Sequence, residues 1–291
     1  MISFKKIFGF VSIFPFIITN FLIAPCLANE TPIEEQKLLL WRVDPKPGSL
    51  YSTYILGTYH IGKNCQLQSP AFEHAFSDAE TVVFELDSIQ DPDLQPKIQE
   101  TLKKLIYDRG IPNDTSESLK EILDPKTYEL LKQKTEAFEL PIEKISYLKP
   151  WVFMWMYWST QMSQTTQTQT GYSSECGLDP MIAKKSQSTN KTITGLETIN
   201  YQIEKIIDLF ISMDLETTLA AVNSIIQSKP AYEGLLDTSE LDLLISNIDA
   251  GNTEHIEASI NDWCKKDANT CESLLFARNR NWIPKIEQFL K

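Results

Sequence analysis

The chain has 291 residues, 42% of them hydrophobic and 23% charged, a composition that fits an ordinary globular protein and argues against collagen-like or wholly disordered classes. Lys and Arg number 27 against 39 Asp and Glu, for a net charge of −12, which argues against a general nucleic-acid binder, since such proteins need surplus cations to displace counterions from phosphate. A chain near this length buries roughly three quarters of its unfolded surface, so it needs neither metal nor disulfide merely to fold.

Residues 1–28 read as an export signal. Lys5 and Lys6 form a cationic start, Ile7 to Ile23 is largely apolar, and Ala28 supplies a small residue at a cleavage position before Asn29. The rival reading is an uncleaved N-terminal membrane anchor. Pro15 and Asn20 weaken it, because both disfavour a stable spanning helix. The expected location is therefore periplasmic or secreted, with no stable membrane span after signal removal. Losing 1–28 takes away two Lys and no acids, so −12 becomes −14. It also leaves four cysteines, an even count that suggests two disulfides in an exported chain. Cys264 and Cys271 are close in sequence and pair most simply, which leaves Cys65 with Cys176. No CxxC or Cys/His cluster points to structural zinc.

In chain order, Leu38 to Val43 is apolar and ends at the turn-rich Asp44-Pro-Lys-Pro-Gly48. Ser52 to Thr58 is rich in β-branched and aromatic residues and reads as a strand that forms a hairpin with Leu40–Val43. Ser69-Pro70 opens a helix through about Ala79, with Pro in the first turn. Thr81 to Asp87 is a second compact strand. From Asp93 to about Lys185 the pattern is helical, with Leu119, Ile122 and Leu123, then Tyr128, Leu130 and Leu131, at helical spacing. Pro150 to Trp158 is a dense aromatic stretch, read as a core helix in preference to a ligand platform. Gln161 to Ser174 is polar and of low complexity, and reads as a mobile loop or lid. Lys191 to Glu197 is a third strand, and the remainder is mostly helical. The expected fold class is α/β, with a mixed central sheet of short strands and a large helical insertion at about 93–190 within a single domain over 29–291.

The three strands end on chemistry. The first ends at Gly57-Thr-Tyr-His60, the second at Glu85-Leu-Asp87 and the third at Gly195-Leu-Glu197. Ligands of open α/β sheets bind at the carboxyl ends of strands, so one imidazole and two or three carboxylates are expected at one rim. One His with carboxylates suits a divalent ion of intermediate hardness, such as Mn, Co or Zn. Such an ion lowers the pKa of bound water, with a spare carboxylate as general base. The bland alternatives are a structural histidine at His60 and a first-turn charge at Glu197. His74 and His255 sit in helical contexts and read as surface or capping residues.

Trp41-Arg-Val-Asp44, Leu56-Gly-Thr-Tyr-His-Ile-Gly62, Phe84-Glu-Leu-Asp87, Gly177-Leu-Asp179, Gly195-Leu-Glu-Thr198 with Gln202, and Arg278-Asn-Arg-Asn-Trp282 follow one another in this order. The set resembles the TraB/GumN family, which includes the TIKI metalloproteases and is similar in fold to the erythromycin-esterase and ChaN-like haem-binding proteins. The resemblance runs from about Leu40 to Leu290.

It implies a secreted metal-dependent hydrolase, most concretely a peptidase acting on a peptide or protein. His60, Glu85 and Glu197 are the implied metal ligands, and Glu85, Glu197 and Arg278 the implied catalytic residues. Arg278 and Asn279 match an Arg-Asn motif that orients a carboxylate or the substrate. Family members usually carry a second G-x-x-H after that motif, whereas this sequence ends at Lys291. Two expectations follow: a C-terminally truncated member with weakened chemistry, or a carboxylate-rich site that suffices. A non-catalytic binder of haem, a peptide or a protein partner on the same fold is the alternative function.

Overall fold

The computed structural model describes residues 35–43, 53–87, 89, 91–136, 142–167, 171–227 and 238–289. The expected export segment 1–28 and the turn at 44–48 lie outside these residues. In chain order the elements are β1 (Leu39–Val43), β2 (Thr53–Gly57), α1 (Pro70–Asp78), β3 (Thr81–Leu86), α2 (Leu94–Leu105), α3 (Leu119–Ile122), α4 (Pro125–Glu136), α5 (Ile142–Ile145), α6 (Pro150–Gln167), α7 (Leu178–Ser188), β4 (Thr192–Glu197), α8 (Ile199–Ser212), α9 (Leu215–Gln227), α10 (Thr238–Asp249), α11 (Thr253–Lys266), α12 (Ala268–Cys271) and α13 (Ala277–Phe289). Helix dominates, and the few short strands are compatible with an α/β class.

Among the described residues the strands form two ladders. β1 and β2 pair antiparallel, with Trp41 opposite Ile55, as the hairpin reading expects. β3 and β4 pair parallel, with Phe84 opposite Gly195 and Leu86 opposite Glu197. A parallel pair needs a long crossover, and here the chain between the two strands is mostly helical.

The described chain divides into two compact units. The first takes the described residues up to Asp91, Gly171–Thr198 and those from Thr238, and so contains the four described strands. Its core gathers Leu39, Phe72, Phe84, Leu178, Ile256 and Leu275. α1 begins where the sequence says it should. Ser69 is its N-cap, accepting from the Phe72 amide, and Pro70 fills a first-turn position whose missing N–H has no intrahelical partner anyway.

The described residues of the second unit, within 92–170 and 199–237, are mainly helical. α2 lies along α8, tied by Thr101 Oγ1 donating to Asn200 Oδ1 at 2.6 Å. An ion pair joins Arg109 Nη1 and Asp208 Oδ1 at 2.9 Å. Within α6, Trp151, Val152, Phe153 and Tyr157 are buried, which is the core-helix reading of the aromatic stretch. Of the loop expected over Gln161 to Ser174, residues 161–167 are helical instead, 168–170 lie outside the described residues, and 171–173 are non-helical. α6 continues to Gln167, because the Gln and Met of this stretch are good helix formers and no Gly or Pro interrupts it before Gly171. Among the described residues no single helix is long and apolar enough to cross a membrane. One pair bent by 95°, α8 with α9, passes the same test jointly.

Candidate active site

The site is built wholly within the strand-bearing unit. β2 ends at Gly57, and the chain continues through buried Tyr59, whose hydroxyl donates to Asp249 Oδ1 at 3.2 Å. That anchor fixes the next residue, His60. Here the segment runs tightly beside 173–178. Gly62 and Ser173 exchange both backbone hydrogen bonds, at 2.9 and 2.8 Å, and the Leu178 amide donates to Tyr59 O at 2.8 Å. Glycine is needed on both sides of this crossing. A Cβ on Gly177 would fall 2.3 Å from His60 O, and one on Gly62 would fall 2.3 Å from Cys176 O. The Cys65–Cys176 disulfide closes the same crossing, with Cα atoms 4.1 Å apart. The second expected pair, Cys264–Cys271, is also bridged.

The crossing delivers His60 to Asp179. Gly177 caps α7, Asp179 occupies its first turn, and Asp179 Oδ2 lies 2.7 Å from His60 Nδ1. A carboxylate in that position complements the helix dipole while it orients the imidazole. Burial pulls the His60 pKa down. The hydrogen bond and charge of Asp179, with the charge of Glu85, overcome that pull and leave it raised above the ordinary imidazole value.

Glu85 on β3 and Glu197 at the end of β4 are brought together by Arg278, in the first turn of α13. Arg278 Nε donates to Glu197 Oε1 at 3.0 Å, and Nη2 reaches both Glu197 and Glu85. Nη1 caps the Leu274 carbonyl at 3.2 Å, in the π-helical turn Glu272–Phe276 that precedes α13. Trp282, one turn further along, donates Nε1 to Glu197 Oε2 at 2.9 Å and lays its ring 5.1 Å from the guanidinium. Lys285 adds a hydrogen bond to the Leu196 carbonyl. Burial raises the Glu85 pKa and Glu197 adds to that, against the opposing pull of Arg278 and His60. Asp87, the third carboxylate of the expected rim, is exposed, and its amide donates to Glu197 O at 3.0 Å.

A family model for the TraB/PrgY/gumN family matches residues 39–291. The chain belongs to the TraB/PrgY/gumN family. No curated protein and no solved structure gives a significant match. The family match takes in every residue of the site, from His60 to Lys285.

In this TraB/PrgY/gumN chain His60, Glu85, Glu197 and Arg278 act on one another electrostatically, and Asn279 is buried beside Arg278 in α13. The implied ligand set of His60, Glu85 and Glu197 does not form as a set. Arg278 stands between the two carboxylates, and His60 turns Nδ1 to Asp179. Among the described residues no three His, Cys, Asp or Glu side chains are placed to hold a metal ion. The donors as paired here therefore do not fit a divalent ion held by those three. His74 is exposed and lies near Asp78, and His255 lies in the first turn of α11. Asp179 and Trp282 were visible in the sequence only as parts of the Gly177-Leu-Asp179 and Arg278–Trp282 motifs. The signal for their roles lies in the partners they meet across the fold.

Proposed function

We propose that the chain is an exported hydrolase in which Glu85 and His60 form an acid–base pair acting on a peptide or related acyl bond. One observation carries this reading: the His60 (13%) and Glu85 (14%) side chains remain partly accessible, as does Asp179 (12%), while Arg278 (6%) and Glu197 (3%) are more deeply buried. Groups that touch substrate need access, and of the three accessible groups Asp179 is already engaged with His60 Nδ1. The pKa directions suit the assignment. A carboxylate pushed up from its ordinary range is a better base, and an imidazole pushed up stays protonated further into neutral pH as an acid.

In the proposed reaction Glu85 accepts a proton from water as its oxygen attacks the carbonyl carbon. His60, held by Asp179, gives its proton to the leaving group as the bond breaks. Arg278 keeps Glu85 fixed, and Glu197 with Trp282 keeps Arg278 fixed. Export is supported by the pattern of residues 1–28 and by the two disulfides.

The test is the pH dependence of hydrolysis of fluorescein-labelled casein and p-nitrophenyl acetate. A bell is expected, with its acid limb set by Glu85 ionisation and its alkaline limb by His60 deprotonation. Rates that ignore pH across both limbs, or no turnover of either probe, would contradict the reading. A second reading, a non-catalytic binder, draws on the same Arg278 bridge, since it neutralises the carboxylates a reaction would use. Peptide binding without turnover is its signature.

A further inference from the structure

His60 and Asp179 stand on chain segments that are remote in sequence, so something local must hold them together. Four links do this between residues 59–65 and 173–178: the Gly62–Ser173 pair of hydrogen bonds, the Leu178-to-Tyr59 hydrogen bond and the Cys65–Cys176 disulfide. The disulfide is the only covalent one among them. It closes a sequence separation of 111 residues, five residues after His60 and three before Asp179. The Cys264–Cys271 bridge, by contrast, spans 7 residues and staples the end of α11 to α12.

The two half-cystines differ in residue exposure. Cys65 is exposed, whereas Cys176 is buried at 1% exposure. A thiolate arriving from solvent therefore meets Cys65. On the Cys65 side of the crossing, Lys63 Nζ lies 2.6 Å from Asp242 Oδ1, and Tyr172 donates to the same oxygen at 2.5 Å. Those side-chain bonds tie both segments to α10 but reach neither His60 nor Asp179.

We propose that the Cys65–Cys176 disulfide is the positioning element of the His60–Asp179 pair, so that the site is assembled in the oxidised chain and released by dithiol reductants. In the release step, a thiolate of the dithiol attacks Cys65 Sγ, the Cys65–Cys176 bond breaks and Cys176 leaves as a thiolate. The second thiol of the reductant then displaces Cys65 as a thiolate from the mixed disulfide, which leaves both cysteines reduced and the reductant oxidised. Freed of the covalent link, the segment bearing Asp179 no longer holds a fixed distance to the imidazole. The consequence for catalysis rests on the hydrolase reading; the structural step does not.

The test uses C264S/C271S, in which Cys65–Cys176 is the sole disulfide, before and after dithiothreitol. The readout is the downfield proton resonance of the His60 Nδ1–H bonded to Asp179, with far-UV circular dichroism recorded in parallel. C65S/C176S, which keeps Cys264–Cys271, repeats the comparison without reductant. The expected result is a resonance present when oxidised, and absent when reduced or substituted, with the dichroism retained. Where hydrolysis is measurable it should fall on the order of 10²-fold, the cost of a misplaced catalytic group. A resonance that survives reduction, or is absent from the oxidised protein, overturns the inference. So does loss of the dichroism, because the disulfide would then be holding the whole unit. If the resonance behaves as expected but neither state hydrolyses any probe, the positioning role stands and the hydrolase reading fails.

Discussion

Arg278 meets Glu197 through two of its nitrogens, with Nε 3.0 Å from Oε1, and in doing so ties α13 to the end of β4. The pairing is buried, and the same guanidinium reaches Glu85 on β3. A planar fork matches a carboxylate edge to edge, which a lysine ammonium cannot do.

Removing that fork leaves two carboxylates in a poorly solvated place without their cation. R278A is expected to lose about 3–5 kcal/mol of stability, the range for breaking a buried ion pair from one side. R278K should recover only part of the loss. Urea denaturation of the three proteins checks both statements.

Trp282 supplies a second donor to Glu197, so W282F should cost about 1–3 kcal/mol, as expected when a buried acceptor loses a partner. Activity should fall less than stability, because Glu197 keeps its bonds to Arg278. Denaturation midpoints and turnover measured on one preparation separate the two effects.

The raised His60 pKa has a fixed sign in the stability profile. The folded state holds this proton more tightly than the unfolded chain does, so the contribution is fully present below the ordinary value of 6.5 and is lost as pH rises through the folded value. D179N removes the favourable partner. Its stability should therefore fall less between pH 6.5 and the folded value than that of the wild type. Denaturation at a series of pH values reads the slope directly, and equal slopes would show that Asp179 does not set the His60 proton.

Gly177 leaves no room for a side chain against the His60 carbonyl. G177A must push the two segments apart and is expected to lose the His60–Asp179 hydrogen bond as well as stability. The His60 Nδ1–H resonance is the check, and its retention in a folded G177A protein would contradict the tight crossing.

What the sequence could disclose depended on whether a signal was local. The strands at 53–57, 81–86 and 192–197 are marked by β-branched residues, and Ser69-Pro70 marks a helix start through capping chemistry alone. His60, Glu85 and Glu197 stand out because each falls at or just beyond a strand end. The tie between Asp179 and His60 was not legible, because two segments remote in the sequence make it. Nor does any spacing rule reveal that one arginine from α13 spans both glutamates, although Arg278 itself sits in a recognisable motif. The polar stretch at 161–167 looked like a loop because its composition is polar. Gln and Met favour helix and no Gly or Pro interrupts the stretch, which outweighs the weaker propensity of Ser163, Thr165 and Thr166.

The acid–base pair is tested most directly by hydrolysis of fluorescein-labelled casein by the wild type, H60Q and E85Q at one pH, with C264S/C271S as a folded control. Each active-site variant is expected to lose on the order of 10²–10⁴-fold in rate, the usual contribution of a positioned acid or base, while the control keeps its activity. Hydrolysis by H60Q and E85Q at the wild-type rate would contradict the assignment.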